Sequence, residues 1–219
     1  MDKNIFENGW NAQNAYVFGW IMSDGCLMLE GRNKTSFAVR ICSNDLDIIE
    51  YLHGYMCDGN KIYKQNENGF LIKYRNKDSI SFMQGHGLTE RKSLSMQFPN
   101  LPEDVVRHFV RGYFDGDGSI VITHNKYNTY GQASFTSGSV EFLESLQKKL
   151  EENDIASHLY NDGRHNSKSH YLKVVKWSEL EKLYHFLYDD ADGSGVLKRK
   201  YDKYTKLMNC KRKYKSHII

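Results

Sequence analysis

Two aspartates in this chain arrive with the same neighbours. The first closes the run Ala15-Tyr-Val-Phe-Gly19-Trp-Ile-Met-Ser23-Asp24-Gly25. The second closes His108-Phe-Val-Arg-Gly112-Tyr-Phe-Asp115-Gly116-Asp117-Gly118. Each run is apolar and helical in pattern, and each carries the spacing Gly-x-x-x-x-Asp-Gly. Asp24 and Asp117 therefore stand at helix C-termini, where the macrodipole is already negative. Side by side, their carboxylates repel. A cost imposed twice calls for a compensating cation, and aspartate oxygens with water and phosphate oxygens suit Mg²⁺. A single Asp-Gly is a common helix-to-turn sequence; its repetition at matching positions favours a metal site.

The glycines point to how two such helices are held. Gly costs about 1 kcal/mol in a helix interior relative to Ala, so close backbone approach is the reason to place it there. Gly19 and Ser23 share one helix face, and Gly112 and Gly116 share another. The two faces can pack nearly backbone to backbone, with Val17, Phe18, Trp20, Ile21, Phe109, Val110, Tyr113 and Phe114 turned to the core of each half.

The elements around them repeat in order. Asn14 is read as the cap of a helix over 15–24, with Gly25 as its C′ residue. Strands follow at Cys26–Glu30 and Thr35–Cys42, the second alternating Phe37, Val39 and Ile41 with Ser36, Ala38 and Arg40. An amphipathic helix Leu46–Met56, a hairpin of Lys61–Gln65 with Phe70–Arg75, and a helix over Asp78–Gln84 complete the first unit. After the second motif helix come strands at Ser119–Thr123 and Gln132–Thr136, a helix Val140–Asn153, and strands Ala156–Tyr160 and His170–Val175. Ser178 is read as the cap of a helix to about Tyr188. This is an internal duplication of an αββαββα unit, an α+β fold with a pseudo-two-fold axis. The only two prolines, in Phe98-Pro-Asn-Leu-Pro102, mark a linker. The expected division is a first repeat over 1–98, a linker over 99–104 and a second repeat with a basic tail over 105–219.

Composition sets the class. With 219 residues, 26% charged and 40% hydrophobic, the chain is long enough for two domains with sizeable cores. It has no apolar run of transmembrane length and no secretory h-region after Met1. Cys26, Cys42, Cys57 and Cys210 form no C-x-x-C pair and are read as reduced thiols in a cytosol-like compartment. A net charge of +3 does not announce a nucleic-acid binder. The stretch from Lys198 to His217 is more pointed, since Asp202 is its one acid among many Lys and Arg residues. It is either a solvated basic helix or a phosphate-contacting surface.

Phe18-Gly19-Trp-Ile-Met-Ser-Asp24-Gly25 and Arg111-Gly112-Tyr-Phe-Asp-Gly-Asp117-Gly118 resemble the two signature helices of the LAGLIDADG homing endonucleases, in their single-chain, two-repeat form. The first copy departs from the pattern at Met22 and Ser23, but both keep the acid before the last glycine. The resemblance runs from about residue 14 to 205. It implies two antiparallel sheets forming a saddle over the DNA major groove, with the motif helices at the repeat interface. It implies Mg²⁺ at Asp24 and Asp117, with Mn²⁺ or Ca²⁺ able to substitute for binding, and cleavage of both strands to leave short 3′ overhangs. Lys92 and Lys200 occupy the repeat positions where the family commonly has a supporting catalytic lysine. Ser43, Asn44, Asp47, Ser137 and Glu141 stand where many members carry Gln or basic residues.

The polar strand faces supply the candidate DNA contacts: Ser36, Arg40, Lys61, Tyr63, Gln65, Lys73, Arg75, Gln132, Ser134, Thr136 and Lys173. Arg and Lys suit guanine and Gln suits adenine. The loops 31–34, 66–69, 123–130 and 161–169 would extend the surface. The expected partner is a double-stranded DNA target, read by a monomer with internal pseudo-symmetry and no membrane association. The expected place is intracellular, in the cytoplasm of a prokaryotic or phage-infected cell, with an organelle as the alternative.

Other readings remain. The same scaffold serves as a cleavage-deficient DNA- or RNA-binding protein, such as an intron maturase or transcription regulator; retention of both acids favours cleavage. The chain has Met1 and no recognisable splicing blocks, so a free-standing protein is expected over an intein insert. The nine histidines lack H-x-x-x-H spacing and are read as structural or surface residues.

Overall fold

The computed structural model describes residues 2–33, 35–59, 61–191 and 194–215, the last five by backbone alone. The first unit runs α1 (Ala12–Asp24), β1 (Gly25–Glu30), β2 (Ser36–Ser43), α2 (Leu46–Met56), β3 (Tyr63–Lys64), β4 (Phe70–Tyr74) and α3 (Lys77–Gly85). The second runs α4 (Glu103–Asp117), β5 (Gly118–His124), β6 (Thr129–Ser137), α5 (Val140–Glu152), β7 (His158–Asn161), β8 (His170–Val174) and α6 (Trp177–Tyr188). A further helix, α7 (Lys198–Lys215), follows. The αββαββα order read from the sequence is present twice. Because α4 begins at Glu103, the last two residues of the expected linker are helical.

Each unit makes one antiparallel four-stranded sheet, in the orders β1-β2-β4-β3 and β5-β6-β8-β7. Period-two alternation decides which side of each sheet is apolar. Leu27, Val39, Ile41, Ile72 and Tyr74 line the inner side of the first, and Ile120, Ala133, Phe135, Leu172 and Val174 that of the second. The amphipathic helices cover these sides with Ile48, Ile49, Leu52 and Met56 from α2 and Phe142, Leu143, Leu146 and Leu150 from α5.

Three local expectations are corrected. The cap of α1 is Asn11, not Asn14: the Asn11 side chain accepts from Asn14 N–H while the Asn14 side chain accepts from Asn11 N–H. The Asn14 amide also donates to the Ile5 and Gly9 carbonyls, which ties the N-terminal segment to the helix. Ser178 lies inside the first turn of α6, whose N-cap is Lys176. Gly25 is not a left-handed terminator: its φ of −79° and ψ of 149° are extended. It must be glycine because a Cβ would fall 2.8 Å from Ile21 Cα. Gly118 repeats this against Phe114, with φ −80° and ψ 157°. Each motif glycine thus lets a helix pass straight into a strand.

Candidate active site and nucleic-acid interface

Helices α1 and α4 pack through their glycines. A Cβ on Gly19 would strike the Phe109 carbonyl oxygen and lie 2.8 Å from Tyr113 N; one on Gly112 would strike the Tyr16 carbonyl oxygen and lie 3.0 Å from Trp20 N. At the foot of the pair, a Cβ on Gly116 would overlap Ser23 Oγ and sit 2.7 Å from Asp24 Oδ2. The Asp24 carboxylate therefore leans across onto the opposite helix, beside Asp117. Only glycine at 116 leaves that space.

The two carboxylates are electrostatically loaded. Burial raises the Asp24 pKa above the ordinary carboxylate value, against the pull of Lys200 and Lys92. Burial, and then the charge of Asp24, raise Asp117 to about 6. Like charges close together in a partly desolvated site resist joint ionisation. Among the described residues there is no group of three or more His, Cys, Asp and Glu side chains that could hold a metal ion. The donor set at the helix feet is two hard carboxylates, which fits a divalent cation completing its shell with water and phosphate oxygens.

Lys92 and Lys200 are brought to the same place, but their ammonium groups go to backbone. The last carbonyls of a helix lack partners within it. Lys200 Nζ donates to the carbonyls of Phe114, Asp115 and Gly116 at 2.8, 2.7 and 2.8 Å. An ammonium has three protons, so Lys200 is saturated. Lys92 Nζ donates to Gly25 O at 2.6 Å and Ser23 O at 3.3 Å, which leaves one proton over. Both side chains are buried. Burial lowers Lys200 to about 8 and also lowers Lys92. Each lysine caps the C-terminus of a motif helix and offsets its negative end.

Each lysine is braced by the opposite repeat. Lys92 opens a short helical turn, Lys92–Leu94, preceded by Arg91 at φ 57°, a left-handed conformation that an L side chain rarely adopts. That turn lies against Gly138, whose Cβ would strike Ser93 O, and Ser139 Oγ donates to Met96 O at 2.6 Å. On the other side, Arg199 Nε reaches both Asp45 oxygens at 2.8 Å, next to α2 of the first repeat. Beneath it, the buried Asp115 accepts from Leu197 N–H at 2.7 Å and Tyr16 O–H at 2.9 Å. Leu197 O in turn starts α7 by accepting from Lys200 N at 3.0 Å. The fully buried Arg111 spends its guanidinium on the carbonyls of Leu187, Ser194 and Gly195 and on Ser194 Oγ. Sequence reasoning missed Arg111, Asp115 and Tyr16; the available signal was a second acid in one motif copy, where the other has Met22.

Residues 104–187 match the LAGLIDADG-like domain family. The fold matches I-AabMI, a LAGLIDADG meganuclease bound to uncleaved DNA, with a TM-score of 0.65 and 14% identity over 94% of this chain and 92% of that one. It also matches the I-SmaMI homing endonuclease bound to cleaved DNA, with a TM-score of 0.63 and 15% identity over 90% and 87% of the two chains. I-SmaMI bound to its uncleaved target with calcium ions gives 0.64 at 14% identity over 96% and 94%. This chain carries a LAGLIDADG-like domain in the LAGLIDADG meganuclease fold. Among curated proteins, the probable translation initiation factor IF-2 of Methanocaldococcus jannaschii is 26% identical over 172 residues, which is 70% of this chain and 12% of the factor. Elongation factor 2 of Methanopyrus kandleri is 43% identical over 58 residues, which is 26% of this chain and 4% of that one. The chain thus spans a small part of either factor, and their roles in translation are not carried over to it.

Within the LAGLIDADG fold, the outward faces of the two sheets hold the expected DNA contacts. In the first sheet, register aligns Cys26, Arg40 and Lys73 across three strands. In the second it aligns Ser119, Ser134, Lys173 and His158. Ser36, Lys61, Tyr63, Gln65 and Arg75 are exposed, and Arg40, Lys73, Gln132, Thr136 and Lys173 are half-buried. Ser134 is only 4% exposed. Lys61 and Gln65 flank β3 rather than belonging to it, since β3 is two residues long. Of the loop 31–34, Lys34 lies outside the described residues, as does the end of the basic tail. The loop after β5 is shorter than expected, with strand pairing reaching His124 and Thr129. The sequence reading missed Glu30, whose carboxylate takes Lys73 Nζ and Arg75 Nε at 2.8 Å each. It also missed Tyr160 and Tyr171, whose rings flank Lys173 Nζ at 4.8 and 5.6 Å.

Proposed function

We propose that this protein is a site-specific double-stranded DNA endonuclease that hydrolyses one phosphodiester in each strand of a long target and leaves short 3′ overhangs. The observation that carries the reading is the pair of carboxylates, Asp24 and Asp117, at the foot of two glycine-packed helices, near enough that the charge of one raises the pKa of the other. The likeness to meganucleases solved on DNA supports it. Asp24 and Asp117 would hold the divalent ion, Mg²⁺ in this reading, with Mn²⁺ or Ca²⁺ able to take its place for binding. Bound there, the ion supplies Lewis-acid activation and charge neutralisation for phosphodiester hydrolysis.

The chain's own residues do the positioning. Gly19, Gly112 and Gly116 set how closely the acids approach. Lys92 and Lys200 neutralise the helix ends, so that two carboxylates can ionise beside the negative poles of α1 and α4. Their bonded state makes them electrostatic supports; Lys92, with one proton left, is the better placed to reach a water or a phosphate. The sheets read the duplex on either side. Both repeats lie in one chain, so the working species is a monomer, inside the cell where its DNA target is.

The test is selection of cleavable sites from a randomised or host-genome library with Mg²⁺. A single long site, cut with short 3′ overhangs, is expected. Asp24→Asn and Asp117→Asn should each lose on the order of 10³-fold in cleavage or more, while DNA binding survives. Wild-type-like cutting by either variant overturns the metal assignment. Binding that weakens steeply with salt is expected, and a flat response removes the DNA reading. Specific binding with no cutting by the wild type selects the cleavage-deficient alternative.

A further inference from the structure

Glu30 is an acid on a face read as contacting DNA, and it repels phosphate. Stability is a weak reason for it, because ion pairs at a surface are worth about 0–1 kcal/mol. Its geometry is nevertheless well defined. Glu30 Oε1 takes Lys73 Nζ and Glu30 Oε2 takes Arg75 Nε, so each oxygen holds one cation. The Glu30 backbone carbonyl accepts from Ser36 Oγ at 3.2 Å. Ala38 pairs with Met28 on this outward side and is fully buried, which leaves the longer side chains around it as the surface. Hydrogen bonding first to Lys73 and then to Arg75 keeps the Glu30 carboxyl below the ordinary range, so it stays ionised.

Using Nε on Glu30 orients the guanidinium plane of Arg75 and leaves its two terminal nitrogens. Among the described residues these make no hydrogen bond, and 42% of the side chain is exposed. A planar guanidinium with a free terminal edge matches the O6 and N7 acceptors of guanine in the major groove. An arginine without a buttress settles on phosphate as readily as on a base, which adds affinity and no sequence information.

We propose that Glu30 is a specificity-determining residue: it holds Arg75 and Lys73 as one rigid donor unit that reads guanine in the half-site under the first sheet. The inference rests on the DNA-binding reading above. The second sheet lacks the device, since Thr123 stands at the place of Glu30 and Val175 at that of Arg75.

The experiment compares the wild type with Glu30→Gln, which keeps shape and removes charge, and with Arg75→Ala, each profiled on a randomised site library with salt-dependent binding measured on the selected site. Glu30→Gln should bind random competitor DNA several-fold more tightly, with the salt slope steeper by about one. Its preference for guanine should fall roughly tenfold at one position of one half-site, with the other half-site unchanged. Arg75→Ala should lose the same preference at the same position while weakening binding. An unchanged base profile and salt slope for Glu30→Gln, or loss of preference spread evenly over both half-sites, overturns the proposal while leaving the endonuclease reading intact. Absence of any preferred site for the wild type removes both.

Discussion

The foot of the two motif helices and the outward faces of the two sheets have diverged to very different extents. At the foot, the halves repeat one another: a glycine interface, an acid, a glycine that turns helix into strand, and a buried lysine on the helix-end carbonyls. On the sheets the halves share strand order but not chemistry. Lys73 is clamped by a carboxylate, whereas Lys173 lies against two tyrosine rings. The foot is built from backbone, which offers the same orphan carbonyls and the same steric limits in each copy. The faces are built from side chains with solvent on one side, so each half is free to meet a different ligand surface.

The comparison is sharpest where it can be broken. Gly112→Val and Gly19→Val drive a side chain into the carbonyl oxygen of the facing helix. Neither backbone can yield without separating α1 from α4, so each should cost about 3 kcal/mol or more, read as a lowered denaturant midpoint. Gly54, in α2, has open space around its Cβ position, and Gly54→Ala should instead stabilise by up to about 1 kcal/mol.

Lys200→Met removes three hydrogen bonds to the end of α4, leaving Phe114 O only its bond from Gly118 N–H, and Lys92→Met removes two at the end of α1. The expected losses are roughly 2–4 kcal/mol for the first and a smaller amount for the second, by chemical denaturation. Equal losses would show that the two caps do not differ in the way their bonding indicates.

The acid at the foot sets a pH dependence. Asp117 sits at about 6 in the folded protein, above the 3.8 of a free aspartate carboxyl. A raised acid penalises the folded state when ionised, fully above about pH 6 and not at all below about pH 4, where both states hold the proton. Without divalent ions, Asp117→Asn should therefore raise the Tm at pH 7 by a few degrees, on the order of 3 °C. That gain should shrink as the pH falls from 6 towards 4. A gain that grows on acidification would contradict the sign of the shift.

The smallest effect belongs to the faces. Thr123→Glu copies the first sheet's acid into the second and should leave stability within about 0.5 kcal/mol. Its mark should be on DNA binding, with the salt slope reduced by about one as Lys173 acquires a competitor for phosphate.

The repeat order was legible in the sequence because period and turn chemistry are local. The alternation of Phe37, Val39 and Ile41 and the amphipathic spacing of Leu46–Met56 report burial directly, and α2 occupies the same bounds. Asp24 and Asp117 were legible for a different reason, since the same unfavourable placement occurred twice. Cap assignment failed at Asn14 because two asparagines three residues apart each satisfy the pattern, and burial of Asn14 against Ile5 and Gly9 selects Asn11. Gly25 was recognised as a helix end for the wrong reason, its need being close contact with Ile21 and not a left-handed φ, and Gly118 has the same need against Phe114.

By itself, then, the sequence determined the duplicated unit, the glycine-faced helices and the two acids, all of which depend on residues near one another in the chain. Only the tertiary structure decided what the lysines do, because the carbonyls that hold Lys92 lie 67 and 69 positions away and those that hold Lys200 lie 84–86 positions away. It likewise decided that Glu30 owns Lys73 and Arg75, a partnership that exists only once β1, β2 and β4 adopt their register. Charge and hydrogen-bond partners are chosen in space, where chain distance carries no information.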